Sequence, residues 1–442
     1  MRRRTRKRKI IIHESSIHIS KKIKALIFMC LVLCFVCTFL YSFFHFIIFQ
    51  FVSICSLFFV PALLIAYDRY KKSIKYLLQV FVERAELIKN DLDSNQVTLS
   101  AKFLYYMDSD CDIIEYVPRA VNKINIDDFP VRLVEVLEDI SKKPWILVDC
   151  SITRTSLIMK FTHEPEKRLV IDSDSDLNSF LEQPKVIRIS SRVTWDLEKA
   201  PTAAVLGGTG SGKSSLIKYV ILCFLILHKQ NEVFVIDGKS AFLYSTSSFN
   251  KDGHTTNTPE GAMLMLDEIT KIMNDRYAQM NANPDDEEDI TYCEKYKDKG
   301  SYLLVIDELL ALMTLVQAED KLKKPADRLG PQIMSKILNL VVKSRQVNIY
   351  CLLSGQTLSA EILSTAVRSN IGFRAILGSV SPTQSMEMFN IGVSSLPRPS
   401  EEPFSGYYWH NEMDTAMPFL QPYVAKGFRF KSALRKLSNR AA

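Results

Sequence analysis

Nine consecutive residues carry the clearest chemistry in this chain: Gly207, Gly208, Thr209, Gly210, Ser211, Gly212, Lys213, Ser214 and Ser215. They fit the pattern G-x-x-x-x-G-K-[ST]. Its glycines let successive backbone N–H groups turn inward toward phosphates, and the helix that follows adds its partial positive charge. In such a loop Lys213 reaches the β- and γ-phosphates, and the Ser214 hydroxyl is a ligand for Mg²⁺. A second cluster, Asp307-Glu308, closes the apolar run Tyr302–Ile306. There Asp307 is expected to orient the metal shell and Glu308 to polarise the attacking water. The pattern implies a nucleoside triphosphate site equipped for hydrolysis.

Both clusters need particular elements to hold them. Ala203–Leu206 reads as the end of a buried strand and Leu216–Leu227 as the helix after the loop. A glycine-rich turn matching by chance would lack that strand–loop–helix setting. Tyr302–Ile306 suits a strand buried on both faces of a parallel sheet. Acids at its carboxyl end emerge where open α/β sheets bind ligands. Gln356, polar at the end of another apolar run, is a candidate for sensing the γ-phosphate, the bland reading being a loop amide.

The 442-residue chain carries a formal charge of +7, but the charge is not spread evenly. Residues 1–24 hold ten Lys or Arg against Glu14, leaving −2 for the rest. A globally positive surface for nucleic acid is therefore excluded, and any such contact must come from local basic loops. Ala25–Ala66 follows as a run of 42 residues without one Asp, Glu, Lys or Arg. As one helix it would be about 63 Å long, roughly twice the ~30 Å hydrocarbon core of a bilayer. Two spans fit better, with the break expected among Ser42, His45 and Gln50. Basic residues flank both sides, with Arg69, Lys71, Lys72 and Lys75 after the run. That bias puts both ends, and everything after them, on the cytoplasmic side of the cell membrane. The run is too long for a cleaved signal peptide. The nine cysteines show no metal-binding spacing; Cys34 and Cys37 form a C-x-x-C inside the apolar run, where Cys behaves as a small hydrophobe.

The expected organisation is a basic tail at 1–24, two transmembrane helices at 25–67, a helical stalk at 68–92, a small α+β adapter domain at 93–185, a motor at 186–425 and a basic tail at 426–442. Within the adapter, β-like runs at Val97–Tyr106, Trp145–Cys150, Ser156–Phe161 and Leu169–Ile171 surround a helical pattern at Phe129–Ile140. Asn283–Asp289 reads as a solvated acidic loop.

Six ordered stretches across about 190–425 resemble the FtsK/SpoIIIE DNA translocases. They are Trp195–Ser214 with the phosphate loop, Val235-Ile236-Asp237-Gly238-Lys239 for the family's strand ending Asp-Pro-Lys, and Met273–Tyr277 for its Met-Glu-x-Arg-Tyr helix. Lys343–Ile349 is similar to its Lys-Ala-Arg-Ala-x-Gly-Ile segment, Ser354-Gly355-Gln356 to its Ala-Thr-Gln, and Val367–Arg374 to its Ile-Lys-x-Asn-Ile-x-x-Arg. Two departures stand out: Gly238 replaces the family's proline, and Gly355-Gln356-Thr357-Leu358 replaces Thr-Gln-Arg-Pro. Leu353–Gln356 also resembles the signature of ABC ATPases, but it follows the Asp-Glu strand instead of preceding it.

The resemblance implies an α/β fold, a RecA-like P-loop NTPase with a mostly parallel sheet, hydrolysing ATP with Mg²⁺ in a ring, expected to be a homo-hexamer. It implies sequence-independent contacts to the DNA backbone. An arginine reaching a neighbour's nucleotide is expected among Arg345, Arg374 and Arg368, in that order. A short member with one motor and two spans is most similar to the coupling proteins of conjugative elements, whose partners are a relaxase and a type IV secretion channel. Chromosome-segregating translocases and type VII secretion ATPases are the alternatives within the family, and a non-translocating membrane scaffold with a nucleotide switch is the alternative outside it.

Overall fold

The computed structural model describes residues 8–13, 19–44, 47–87, 100–118, 128–180, 183–282, 290–358 and 363–439. The acidic run Asn283–Asp289 and His45 lie outside the described residues. The chain divides into two units, 1–165 and 166–442.

In the first unit a five-stranded antiparallel sheet runs in the order β1 (Arg8–His13), β2 (Ser100–Asp108), β3 (Cys111–Val117), β5 (Leu157–Thr162), β4 (Ile146–Ile152). The expectation of a plain basic tail is corrected at β1. Ile10 and Ile12 alternate inward and are buried, so a short β-branched run inside a cationic segment completes the adapter sheet. Helices Ile19–Phe44 and Ile47–Lys71 follow, and they pack together. Among the described residues, Ile23–Ser42 is long and apolar enough to cross a membrane, with a mean hydropathy of 2.6.

The expected stalk is also corrected. Helix Ile74–Arg84, capped by Ser73, buries Leu77, Leu78, Phe81 and Val82, and Phe81 meets Phe129 edge-on at 5.0 Å. Its apolar face packs within the unit, and residues 88–92 of the expected stalk lie outside the described residues. Helix Phe129–Ser141 falls where its apolar spacing predicts.

The second unit begins some twenty residues before the expected motor boundary. The reason is local: β6 (Val170–Ile171) pairs with β17 (Tyr423–Val424), and Glu166 accepts the Leu420 N–H at 2.8 Å. A small hairpin, β7 (Val186–Arg188) with β8 (Thr194–Asp196), leads to the main sheet. That sheet has eight strands: β11 (Thr255–Thr256), β10 (Glu232–Asp237), β12 (Tyr302–Asp307), β13 (Ile349–Gly355), β9 (Thr202–Gly207), β14 (Phe373–Leu377), β15 (Ser405–His410) and β16 (Met417–Leu420), in that spatial order. The first six are parallel, and β15 and β16 join them through antiparallel pairing, a mixed sheet of the P-loop NTPase type.

β9 and β13 are buried along their whole length, which explains their unbroken apolar sequences. Asn348, just before β13, has φ 54°, a left-handed conformation at the position where the resembled family has glycine. Asparagine tolerates that region better than most residues. Arg276 sits between the rings of Tyr292 and Tyr302, donating to the Val347 and Gly300 carbonyls at 2.6 Å each. The Met273–Tyr277 motif is thereby accounted for by packing. The C-terminal segment expected as a tail contains helix Phe430–Ser438. Its buried Phe430, Ala433, Leu434 and Leu437 lie at helical spacing and pack on helix Lys213–Leu227.

Candidate functional site

The phosphate loop connects β9 to helix Lys213–Leu227, as the sequence predicts. Gly210 and Gly212 have φ of +82° and +91°, where a side chain would strain the backbone. A Cβ on Gly207 would lie 2.3 Å from Ser211 Oγ, and one on Gly212 1.8 Å from Gln421 Nε2. Gly208, Thr209 and Gly210 are exposed, Ser214 is exposed, and Ser215 is half-buried. Ser211 Oγ is buried without a hydrogen-bond partner, lying against Gly207. Beside the first turn of the helix lies a cavity of about 670 Å³, with Ser215, Lys218, Phe242, Phe404, Gln421 and Tyr423 among its lining residues.

Strand pairing brings the rest of the site together. β10 and β12 run in parallel register with Asp237 opposite Asp307, and β13 stands between β12 and the phosphate-loop strand. Lys213 is 7% exposed and its Nζ is bonded to Glu308 Oε1. Glu308 Oε2 receives Lys239 Nζ at 3.0 Å. Burial works to raise the Glu308 pKa, but the hydrogen bonds from Lys213 and Lys239 outweigh it and hold the carboxyl below its ordinary value. Asp307 is driven the other way. Burial raises its pKa, only partly offset by the Ser354 hydroxyl donating to Oδ1 and by the charge of Lys213. Glu308 itself has φ 55°, a left-handed conformation uncommon for a non-glycine residue, at the junction between β12 and helix Leu309–Asp320.

Two residues here were not singled out by sequence reasoning. Lys239 was visible only as part of a strand-end motif, and Ser354 only as part of a motif at the end of β13. The remaining expected site residues are placed as follows. Gln356 is exposed just past β13, and its backbone carbonyl accepts from Gln384 Nε2 at 2.9 Å. Arg345 is exposed beyond the C-terminus of helix Leu329–Lys343. Arg374 is corrected as a candidate for reaching a neighbour. Its guanidinium donates to the carbonyls of Ile371 at 3.0 Å, Met388 at 2.7 Å and Arg368 at 3.0 Å, and lies over the Trp409 ring at 4.5 Å. Those contacts commit it to its own fold. Arg368 is half-buried, with Nε lacking a partner.

The donor set fits a nucleotide with its metal. A curled glycine loop, a buried lysine at a helix start and the orphaned Ser211 hydroxyl suit phosphate oxygens. Among the described residues no group of three or more His, Cys, Asp or Glu side chains could hold a metal alone. Mg²⁺ in such sites takes one or two protein ligands and completes its shell with phosphates and water, which Ser214 and Asp307 suit.

Residues 179–360 match the FtsK/SpoIIIE family. YdcQ, an FtsK domain-containing protein of Bacillus subtilis, is 21% identical over 403 residues, covering 85% of this chain and 76% of that protein. The DNA translocase FtsK of Streptococcus pneumoniae is 26% identical over 240 residues, which are 48% of this chain and 28% of that protein. Among solved structures, the pCW3 conjugation coupling protein TcpA, in its monomer form with ATPγS, superposes with a TM-score of 0.51 at 17% identity. That match spans 81% of this chain and 97% of TcpA. With the phosphate loop, the acid pair and the sheet order in place, residues 179–360 form an ATPase domain of the FtsK/SpoIIIE family.

Proposed function

We propose that this protein is a membrane-anchored, ATP-driven DNA translocase that acts as a coupling protein in conjugative transfer. The observation that carries the reading is coextension: the match to a conjugation coupling protein covers nearly all of that chain and most of this one. Similarity to YdcQ over most of both chains, and to FtsK translocases over the motor, supports the same reading. The motor is RecA-like, with β13 interposed between the phosphate-loop strand and the acid strand. Helix Ile19–Phe44 and helix Ile47–Lys71 form a two-span hairpin with both termini and the motor in the cytoplasm, favoured by the basic flanks.

In this mechanism Lys213 binds the β- and γ-phosphates, Ser214 and Asp307 hold Mg²⁺, and the backbone of 207–212 cradles the phosphate chain. Bound Mg²⁺ supplies charge neutralisation on the phosphate oxygens. Glu308 polarises the attacking water, and Gln356 senses the γ-phosphate. Catalysis is mainly positioning and electrostatics. The cavity beside Ser215 takes the nucleoside. Arg345, exposed, reaches the neighbour's nucleotide in a homo-hexameric ring. The exposed Lys321, Lys324 and Arg328 between two helices are suited to DNA phosphates, a contact that carries no sequence information. A relaxase and a type IV secretion channel are the partners that this role requires.

The test is ATP turnover by the detergent-purified protein with and without DNA. DNA stimulates turnover, and the stimulation falls steeply with salt because each phosphate neutralised releases counterions. A ring that hydrolyses ATP but neither binds DNA at low salt nor responds to it would refute DNA as cargo and leave polypeptide secretion.

A further inference from the structure

Lys239 belongs to none of the roles above, yet it touches the centre of the site. Glu308 is shared by two lysines, one on each oxygen: Lys213 on Oε1 and Lys239 on Oε2, the latter at 3.0 Å. The two cations differ in environment. Lys213 is nearly buried, with 8% of its side chain exposed, whereas Lys239 is 43% exposed and closes the site from the solvent side. They differ also in their place relative to the phosphate loop. A phosphate-loop lysine is recruited by the incoming phosphates, which frees Oε1. Lys239 stands outside the phosphate loop, just past the end of β10.

The mount that carries Lys239 is unusually fixed. Asp237 is fully buried, and its carboxylate accepts the backbone N–H groups of Lys239 at 3.1 Å, Ala241 at 2.9 Å and Tyr244 at 2.9 Å. The Gly238 N–H donates to the Asp307 carbonyl at 2.9 Å, tying the ends of β10 and β12 together. A Cβ at Gly238 would stand 2.6 Å from the Glu308 carbonyl oxygen and 2.8 Å from the Leu312 nitrogen. Only glycine permits this approach with the backbone as it stands. The left-handed Glu308 thus has Gly238 close against its backbone and Lys239 bonded to its side chain.

We propose that Lys239 is the positioning residue for Glu308, holding Oε2 so that Oε1, once Lys213 has moved to the phosphates, faces the attacking water. This rests on Glu308 being the water-polarising group. Without Lys239 the carboxylate loses its remaining anchor when nucleotide binds.

The experiment is steady-state and single-turnover ATP hydrolysis by the full-length protein in detergent, comparing wild type with Lys239→Met and Lys239→Arg, each also in a Glu308→Gln background. Lys239→Met lowers kcat by about 10- to 100-fold, the cost of a misplaced catalytic group, and leaves the KM for ATP within about twofold. Lys239→Arg restores most of the rate. In the Glu308→Gln background Lys239→Met has no further effect, because the group it positions is already gone. A raised KM with unchanged kcat would overturn the proposal and put Lys239 on the nucleotide itself. An equal loss in both backgrounds would overturn it too. Should Lys239→Met fail to fold, Lys239→Gln carries the same comparison. Glu308→Gln turning over ATP at the wild-type rate would instead refute the underlying assignment of Glu308.

Discussion

Replacing Glu308 by Gln separates binding from hydrolysis, and the nucleotide-free geometry sets the size of each effect. The side chains of Lys213 and Glu308 are 8% and 11% exposed, so their ion pair is largely withdrawn from water. Removing one member of a buried pair costs about 3–5 kcal/mol. Glutamine keeps a carbonyl that accepts one lysine hydrogen bond, which brings the expected cost to about 1–3 kcal/mol. That penalty falls on the empty protein alone, because Lys213 regains a partner when phosphates arrive. ATP binding no longer has to separate Lys213 from Glu308. With about 1.4 kcal/mol per decade of affinity, the variant binds ATP roughly tenfold more tightly than wild type. Its hydrolysis falls by about 10²- to 10⁴-fold, the usual contribution of a positioned acid–base group. Titration with a fluorescent ATP analogue and single-turnover hydrolysis measure the two separately. Weaker ATP binding than wild type would refute the latch between Lys213 and Glu308; near-normal hydrolysis would refute the role of the second acid.

Lys213→Ala abolishes detectable ATP binding at micromolar nucleotide, in contrast to Glu308→Gln, and filter binding distinguishes them. Asp307→Asn loses Mg²⁺-dependent turnover without loss of stability in the absence of nucleotide. Burial raises the Asp307 pKa in the folded protein, so its ionised form costs stability above that pKa and the cost is relieved as pH falls. A melting temperature at pH 7 several degrees below wild type would contradict this. Glu308 has the opposite sign: its stabilising contribution is present above the ordinary Glu range and is lost as pH falls through its depressed pKa. The stability difference between wild type and Glu308→Gln therefore shrinks in acid, as melts from pH 7 to pH 4 will record. Reporters fused at the N-terminus and after Ala442 both report cytoplasm, and one active only outside the cell would refute the two-span hairpin.

The nucleotide loop and the acid pair were legible because each is a local device. Gly207–Ser214 needs only its own backbone, and Asp307-Glu308 only the end of its own strand. Contacts across strands were not legible. Lys239 meets Glu308 because β10 lies beside β12 with Asp237 opposite Asp307, and Ser354 meets Asp307 because β13 flanks β12 on the other side. No spacing in the sequence specifies that strand order. Gly238 illustrates the same limit. In the sequence it is only a departure from a family proline, whereas in space it lets the β10 end close on the Glu308 backbone.

Charge misled at both ends of the chain. Arg8–His13 and Phe430–Ser438 were read by their lysines and arginines, although Ile10 and Ile12 alternate as in a strand. Phe430, Ala433, Leu434 and Leu437 likewise recur at helical spacing. In each case the apolar residues are buried on one face, and the cations occupy positions the pattern leaves to solvent or to aromatic rings. Arg435 lies over Phe249 at 4.4 Å and Lys431 over the same ring at 5.4 Å. A short element needs only three or four inward side chains to define its face, so a handful of exposed charges does not argue against it. Arg374 fails for the complementary reason. A basic residue in a family motif can serve the motor from inside, and here three backbone carbonyls and one indole hold the guanidinium against its own subunit. Arg345, solvent-facing beyond the end of its helix, keeps the exposure that the proposed contact in trans needs.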